Sequence, residues 1–400
     1  MAYPNEILKS EPTMDDIAGL KPFHAMEILA LAKAREAAGQ SICHLELGEP
    51  AAPPAPKVLE AVARALPAGQ PYTHSKGQLA LREALAGYYA TQHGVSVDPE
   101  NIVVTMGSSA GFILAFLAGF GRDGTIAITR PSYPAYLNTL HGMGLGTVEI
   151  EVSVANGWRL TAADIEMAFA RQPFDGLLFA SPANPTGAAV TSEGLGEIVA
   201  TCKRLGVRLI SDEIYHGLDY RGPSVSAMEF GRDAIVVNSF SKYHCMTGWR
   251  IGWMVLPDDL IRRTEMLQQS LFISAPTLSQ IAGRVALGER NYAEEQKARY
   301  ARNRDILSSG LAALGFAATA PADGAFYAYA DASALTNDTM AFCKDLLEIA
   351  GVAATPGVDF DRSGGQCFIR FSYAGSEATI IEALERMDKF IPRPSCGPLG

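Results

Sequence analysis

The chain has 400 residues, more than one compact core usually holds, so a large domain with a smaller one beside it is expected. Hydrophobic residues make up 48% and charged residues 19%, a globular composition that excludes a disordered chain and a bundle of membrane spans. With 43 acidic against 33 basic side chains the net charge is −10, which argues against a nucleic-acid backbone as partner, because that interaction draws on clustered Lys and Arg.

The opening stretch MAYPNEILKSEPTM carries Pro, Glu and Lys where a leader needs an apolar run, so a cytoplasmic location is the expectation. Residues 1–45 lack strand–helix alternation and are expected to form an arm and a helix that joins a C-terminal domain. Cys43, Cys202, Cys245, Cys343, Cys367 and Cys396 include no CxxC pair and are expected as reduced, mostly buried thiols; no metal ligand is assigned.

From residue 46 the pattern alternates. β-rich runs fall at Ile102–Thr105, Thr125–Thr129, Val148–Val152, Leu177–Ala180, Val207–Ser211, Ile235–Asn238 and Ile251–Leu256. Most are flat apolar runs, the signature of strands covered on both faces, and stretches such as Ser192–Leu205 suit crossover helices. The expected fold is α/β: a mostly parallel seven-stranded sheet covered by helices on both faces, over residues 46–285. Around Ser274–Thr277 the pattern breaks, and a long charged helix containing Glu294, Lys297 and Arg302 follows. A strand at Phe326–Ala330, a helix around Asp338–Ile349, a strand at Cys367–Ser372 and a helix from Ser376 make residues 286–400 a smaller α+β domain.

The chemistry gathers at the ends of these runs. Gly107-Ser108-Ser109 follows one strand and opens a helix, so its backbone N–H groups and the helix dipole point at an anion; alone, such a run is an ordinary helix start. Asn184-Pro185-Thr186-Gly187, taken alone, is a turn. Asp212, in Asp212-Glu213-Ile214-Tyr215, ends an apolar strand at the edge where ligands collect in open α/β sheets. A buried Asp needs a partner, and a protonated pyridine nitrogen is one. Lys242 closes Asn238-Ser239-Phe240-Ser241-Lys242 at a sheet edge, where desolvation lowers its pKa and makes it an amine nucleophile toward a carbonyl cofactor. Arg250, eight residues on, and Ser239 offer a grip for a phosphate.

Ser239, Lys242, Gly248, Arg250 and Gly252 spell Ser-x-x-Lys followed by Gly-x-Arg-x-Gly, with the 184–187 and 212–215 motifs upstream in order. This constellation resembles the class I/II aminotransferases, the fold-type I family dependent on pyridoxal 5'-phosphate. The likeness runs from Leu47-Gly48-Glu49-Pro50 to Ile369-Arg370-Phe371-Ser372. It implies that Lys242 carries the cofactor as a Schiff base and moves the Cα proton, that Asp212 pairs with the pyridine nitrogen, and that Asn184 and Tyr215 bond the ring oxygen. It implies that Gly107, Ser108, Ser109, Ser239 and Arg250 hold the phosphate and that Tyr133 stacks on the ring. Tyr72 would reach the phosphate of a neighbouring subunit in a homodimer with shared sites, and Arg370 and Gly48 would bind the substrate's α-carboxylate beside Tyr133 and Asn184.

The partners so implied are an amino acid and a 2-oxo acid. A C–S lyase acting by β-elimination would use the same residues and stays open beside the aminotransferase. A cofactor-binding regulator is the third reading, but residues 1–45 carry no basic recognition helix for a DNA-binding head. A dicarboxylic substrate calls for a second cation at its side-chain end, and His24 and Lys76 are the candidates.

Overall fold

A computed structural model describes residues 20–391, so the opening stretch before residue 20 and Cys396 lie outside the described residues. The seven expected strands are all present: β1 (Ile102–Thr105), β2 (Thr125–Arg130), β3 (Gly146–Glu151), β4 (Gly176–Ala180), β5 (Arg208–Asp212), β6 (Ile235–Ser239) and β7 (Gly252–Val255). They form one sheet in the order β1-β7-β6-β5-β4-β2-β3. Neighbours pair in parallel from β6 through β3, while β7 runs antiparallel to both β1 and β6.

Alternate residues of these strands feed two separate cores, which is why the runs read as flat and apolar. Val104, Leu209 and Val236 pack with Leu85, Ile165, Ile198 and Ala282 from the helices on one face. Val103, Ile210 and Val237 pack with Leu114, Phe116, Leu137 and Leu260 from those on the other. β3, at one end of the sheet, differs: its buried positions alternate with exposed ones, whereas β1 at the other end is buried throughout. The crossover helix Ser192–Leu205 starts at Thr191, whose side chain accepts from Gly194 N, and stops at Gly206 in the left-handed region.

A four-stranded antiparallel sheet forms the second body, with Phe368–Ser372 between Thr355–Pro356 and Tyr327–Asp331, and Ala318–Thr319 at the far edge. The helices Arg290–Ala313 and Glu377–Phe390 cover it, contributing Tyr300, Leu307, Ile380 and Met387 to a third core. Ile28 and Ala32 of the helix His24–Ala37 enter the same core. The helix expected over residues 338–349 is α-helical at Thr339–Asp345 and widens to a π-turn over Leu346–Ala350. Cys43, Cys202, Cys245 and Cys343 are buried free thiols and Cys367 is half-buried. No helix among the described residues is long and apolar enough to cross a membrane.

Candidate active site

The parallel strands end along one rim of the large sheet. Because β7 runs the other way, its first residue comes to that rim too, with Gly252 opposite both Thr105 and Ser239. A cavity of about 450 Å³ opens there between the two bodies. Of the residues singled out in the sequence, Gly48, Ser108, Ser109, Tyr133, Asn184, Asp212, Tyr215, Lys242, Arg250 and Arg370 line it.

Gly107 stands behind this lining and explains how the arginine fits. Its φ is +74°, and a Cβ there would come within 2.6 Å of the Arg250 guanidinium. Glycine therefore lets Arg250 lie against the start of the helix Gly107–Phe120, which has no side-chain cap and keeps its first N–H groups free. Arg250 itself donates to the Thr247 carbonyl at 3.0 Å. Ser239, expected on the phosphate, does not line the cavity. Its buried hydroxyl lies 2.8 Å from Ser241 Oγ and 3.1 Å from the Ile251 carbonyl, bracing the loop that carries Lys242, and Ser241 takes the lining position instead.

Lys242 Nζ donates to the Gly48 carbonyl at 2.6 Å. Burial, only partly offset by the Glu49 carboxylate, pushes its amine down to about 8. Asp212 is buried and accepts from Ile214 N at 3.0 Å and from the Tyr136 hydroxyl. Burial outweighs these bonds and pushes its carboxyl up to about 6. Gly48 is needed for a reason the sequence did not indicate: a Cβ there would occupy the space of the Tyr327 hydroxyl. That hydroxyl lies 2.7 Å from the hydroxyl of Tyr215.

Arg370 reaches the cavity from the small sheet, where its strand partners are Tyr329 and Thr355. It is 3% exposed, lies face to face with Tyr327 at 4.4 Å and Phe360 at 4.7 Å, and donates to Asn184 Oδ1 at 3.0 Å and to the Glu46 carbonyl at 2.5 Å. Tyr133 precedes the helix Pro134–Gly142 and meets Tyr136 edge-on at 5.5 Å. Tyr72 is elsewhere, 79% exposed and off the lining.

His24 and Lys76 do not face the cavity. Lys76 pairs with Glu100 at 2.5 Å and His24 with Glu27 at 2.8 Å. The lining instead adds the apolar Phe23, Met26, Phe112, Ile113 and Phe116. Sequence reasoning missed these, together with Tyr136 and Tyr327. Tyr136 carried a signal, since it lies three residues after Tyr133 in the first turn of the helix that Tyr133 precedes, close enough in sequence for the two rings to meet. Tyr327 carried none, because nothing separates it from the other aromatics of its strand.

This donor set fits pyridoxal 5'-phosphate group by group: a guanidinium and a free helix start for the phosphate, a buried carboxylate raised by burial for a cationic ring nitrogen, and an amine of lowered pKa for the carbonyl. Fold and site together define a fold-type I pyridoxal-phosphate enzyme. Among known proteins, the family described as aminotransferase class I and II matches residues 41–387. A valine–pyruvate aminotransferase of Mycobacterium tuberculosis is 43% identical over 94% of this chain and 97% of its own length. An aspartate/prephenate aminotransferase of Thermus thermophilus is 32% identical over 94% of this chain and 98% of its own. The crystal structure of an aminotransferase from Mycobacterium tuberculosis superposes with a TM-score of 0.90 at 42% identity, covering 94% of this chain and 98% of that one. The chain belongs to the class I/II aminotransferase family. It is a pyridoxal-phosphate enzyme that moves an amino group between an amino acid and a 2-oxo acid, and none of these relatives is named as a C–S lyase.

Proposed function

We propose that the amino donor is a neutral, apolar L-amino acid whose α-carboxylate is held by Arg370 and whose Cα proton is moved by Lys242. The observation that carries this is the state of Arg370. It is buried, yet its hydrogen-bond partners Asn184 Oδ1, Glu46 O and Thr355 Oγ1 are all neutral, and no carboxylate pairs with it among the described residues. A buried cation without a counter-ion is costly, so the site is prepared for an anion from outside. The guanidinium fork suits a carboxylate in two parallel bonds, which also orients the Cα–H bond.

Bound in the cavity, pyridoxal 5'-phosphate supplies a carbonyl that takes the amine and a ring that draws electrons from the Cα–H bond. Lys242, held down to about 8 by burial, is an amine able to take that proton and return it. Asp212 would keep a proton on the ring nitrogen. Asn184 and Tyr215 would bond the ring oxygen, Tyr133 would stack on the ring, and Gly107, Ser108, Ser109 and Arg250 would hold the phosphate. Gly48 would serve through its carbonyl, which holds Lys242 at 2.6 Å.

The donor class is supported by the apolar side chains of the lining, which among the described residues offers no cation beyond Lys242, Arg250 and Arg370. The name of the valine–pyruvate relative points the same way. Also part of the proposal are a homodimer in which the exposed Tyr72 of a second copy completes the phosphate site, a division into an N-terminal arm, a large domain over 46–285 and a small domain over 286–400, and work in the cytoplasm, which suits the free thiols. Borohydride reduction of the holoenzyme followed by peptide mapping should put the cofactor on Lys242, and a donor panel should rank valine and leucine above aspartate. A label on another lysine rejects the Lys242 assignment, and a preference for aspartate rejects the donor class.

A further inference from the structure

The segment that leads into the helix His24–Ala37 borders the cavity through Phe23, Ala25 and Met26 and is tied to both bodies. On the large body, Asn138 holds the backbone of Lys21 from both sides: Lys21 N donates to Asn138 Oδ1 at 3.3 Å, and Asn138 Nδ2 donates to the Lys21 carbonyl at 3.1 Å. On the small body, the two oxygens of Asp359 accept from His24 N at 2.8 Å and Ala25 N at 2.9 Å. Those are orphan donors of the first turn, and the helix has no side-chain cap of its own, so Asp359 caps it from 335 residues away.

Phe23 and Met26 sit within and just beyond these ties and line the cavity. Phe23 meets Tyr133 edge-on at 5.9 Å, whereas Met26 is 50% exposed, an apolar side chain at the cavity with little protein packed on it. Such a wall is only as firm as its ties. Neither Asn138 nor Asp359 lines the cavity, so neither would touch a substrate.

We infer that Asn138 and Asp359 are positioning residues for donor selectivity, holding Phe23 and Met26 as the apolar wall against which the donor's side chain packs. The inference rests on the reading of the donor as neutral and apolar. Its physical content is a dependence on side-chain size. Alanine is too short to reach the wall, whereas the branched carbons of valine and leucine lose contact when the wall retreats. A methylene or two in an apolar pocket is worth about ten- to two-hundredfold in specificity.

The test uses the holoenzyme and the single-turnover half-reaction, which needs no acceptor. Asn138→Ala, a change at a half-exposed position, and Asp359→Asn, which sets an amide NH2 against one of two N–H donors, should each lower the valine-to-alanine ratio of kcat/KM about tenfold, through KM and not kcat. In a Phe23→Ala/Met26→Ala background, where the wall is gone, Asn138→Ala should change the ratio no further. Calorimetry with isovalerate and propionate, the amine-free counterparts of valine and alanine, which do not react, should give the same loss for isovalerate alone. Equal losses for alanine and valine, an unchanged ratio, or a further loss in the background without the wall overturns the inference. A wild-type enzyme that prefers aspartate to valine overturns the donor reading instead and is seen before any variant is made.

Discussion

On the sheet side of the cavity Asp212, Lys242 and Arg250 project from strand ends or the loops next to them, and the ladder fixes those ends: Asp212 pairs with Ala180 and Val237, and Ser239 with Gly252. The facing side is framed differently. Arg370 stands in the ladder of the small sheet, but Gly48 and the segment carrying Phe23 lie outside any ladder, and side-chain bonds tie Arg370 to Asn184, Gly48 to Lys242, and His24 and Ala25, next to Phe23, to Asp359. Charge on the sheet side is placed by backbone hydrogen bonds that a side-chain substitution leaves intact. Charge on the facing side is placed by the very side chains that a substrate would meet. Substitutions on the first side should therefore change the chemical step alone, and those on the second should change binding and orientation together.

Asp212→Asn tests the first half of that contrast and should have the largest effect. The amide keeps the shape and the bond from Ile214 N but removes the charge that would hold a proton on the ring nitrogen. The half-reaction should slow by about a thousandfold, the scale of losing one preorganised electrostatic group in a closed site, with Tm nearly unchanged. A loss of only a few-fold would make Asp212 structural and remove the contrast.

Arg370→Lys tests the second half. Lysine keeps the charge but loses the fork and the stacking between Tyr327 and Phe360. The expected loss is about 2–4 kcal/mol in transition-state stabilisation, divided between KM and kcat. It should be similar for every amino acid, since the α-carboxylate is common to all. A loss confined to dicarboxylic donors would put Arg370 at the side-chain end and sink the reading of the site.

The same contrast explains what the sequence made legible. The sheet side was readable because a strand, its terminal residue and the following loop are contiguous: Ile235–Ser239 leads directly to Lys242, and Arg208–Asp212 ends on the carboxylate itself. The facing side is assembled from residues hundreds of positions apart. Arg370 was found only through family likeness, and Phe23, Met26 and Tyr327 were not found. Their roles depend on which segments meet, as Asp359 meets His24, and no local pattern encodes that. Ser239 is a different case. The motif marked the residue, whereas the present partners of its hydroxyl, Ser241 and the Ile251 carbonyl, follow from the folded loop.

Glu213 sharpens the comparison at the smallest expected effect, because it follows Asp212 directly yet stays off the cavity lining. Its fully buried carboxyl accepts from Ala227 N at 2.9 Å, Ser226 Oγ at 2.9 Å and Ser211 Oγ at 3.2 Å. Burial outweighs these donors and pushes it up to about 8, while burial drives its neighbour His216 well below the usual imidazole range, so no cation offsets the charge. A carboxyl whose folded pKa lies above its ordinary 4.5 binds its proton more tightly in the fold. The resulting stability is fully present below pH 4.5 and is lost as the pH rises toward about 8. Glu213→Gln cannot titrate, so relative to wild type it should gain about 1 kcal/mol per pH unit across that window. The lost acceptor adds a constant offset, which leaves the slope of the difference as the quantity to read. The Tm difference between variant and wild type should therefore move in the variant's favour by about 2 °C or more between pH 6 and pH 8. The half-reaction rate should stay within about twofold, in contrast to Asp212→Asn, since Glu213 does not line the cavity. Parallel Tm curves for the two proteins would mean that Glu213 is ionised in the fold like an ordinary carboxylate. A large loss of rate would mean that the two adjacent acids do not separate into a chemical and a structural one.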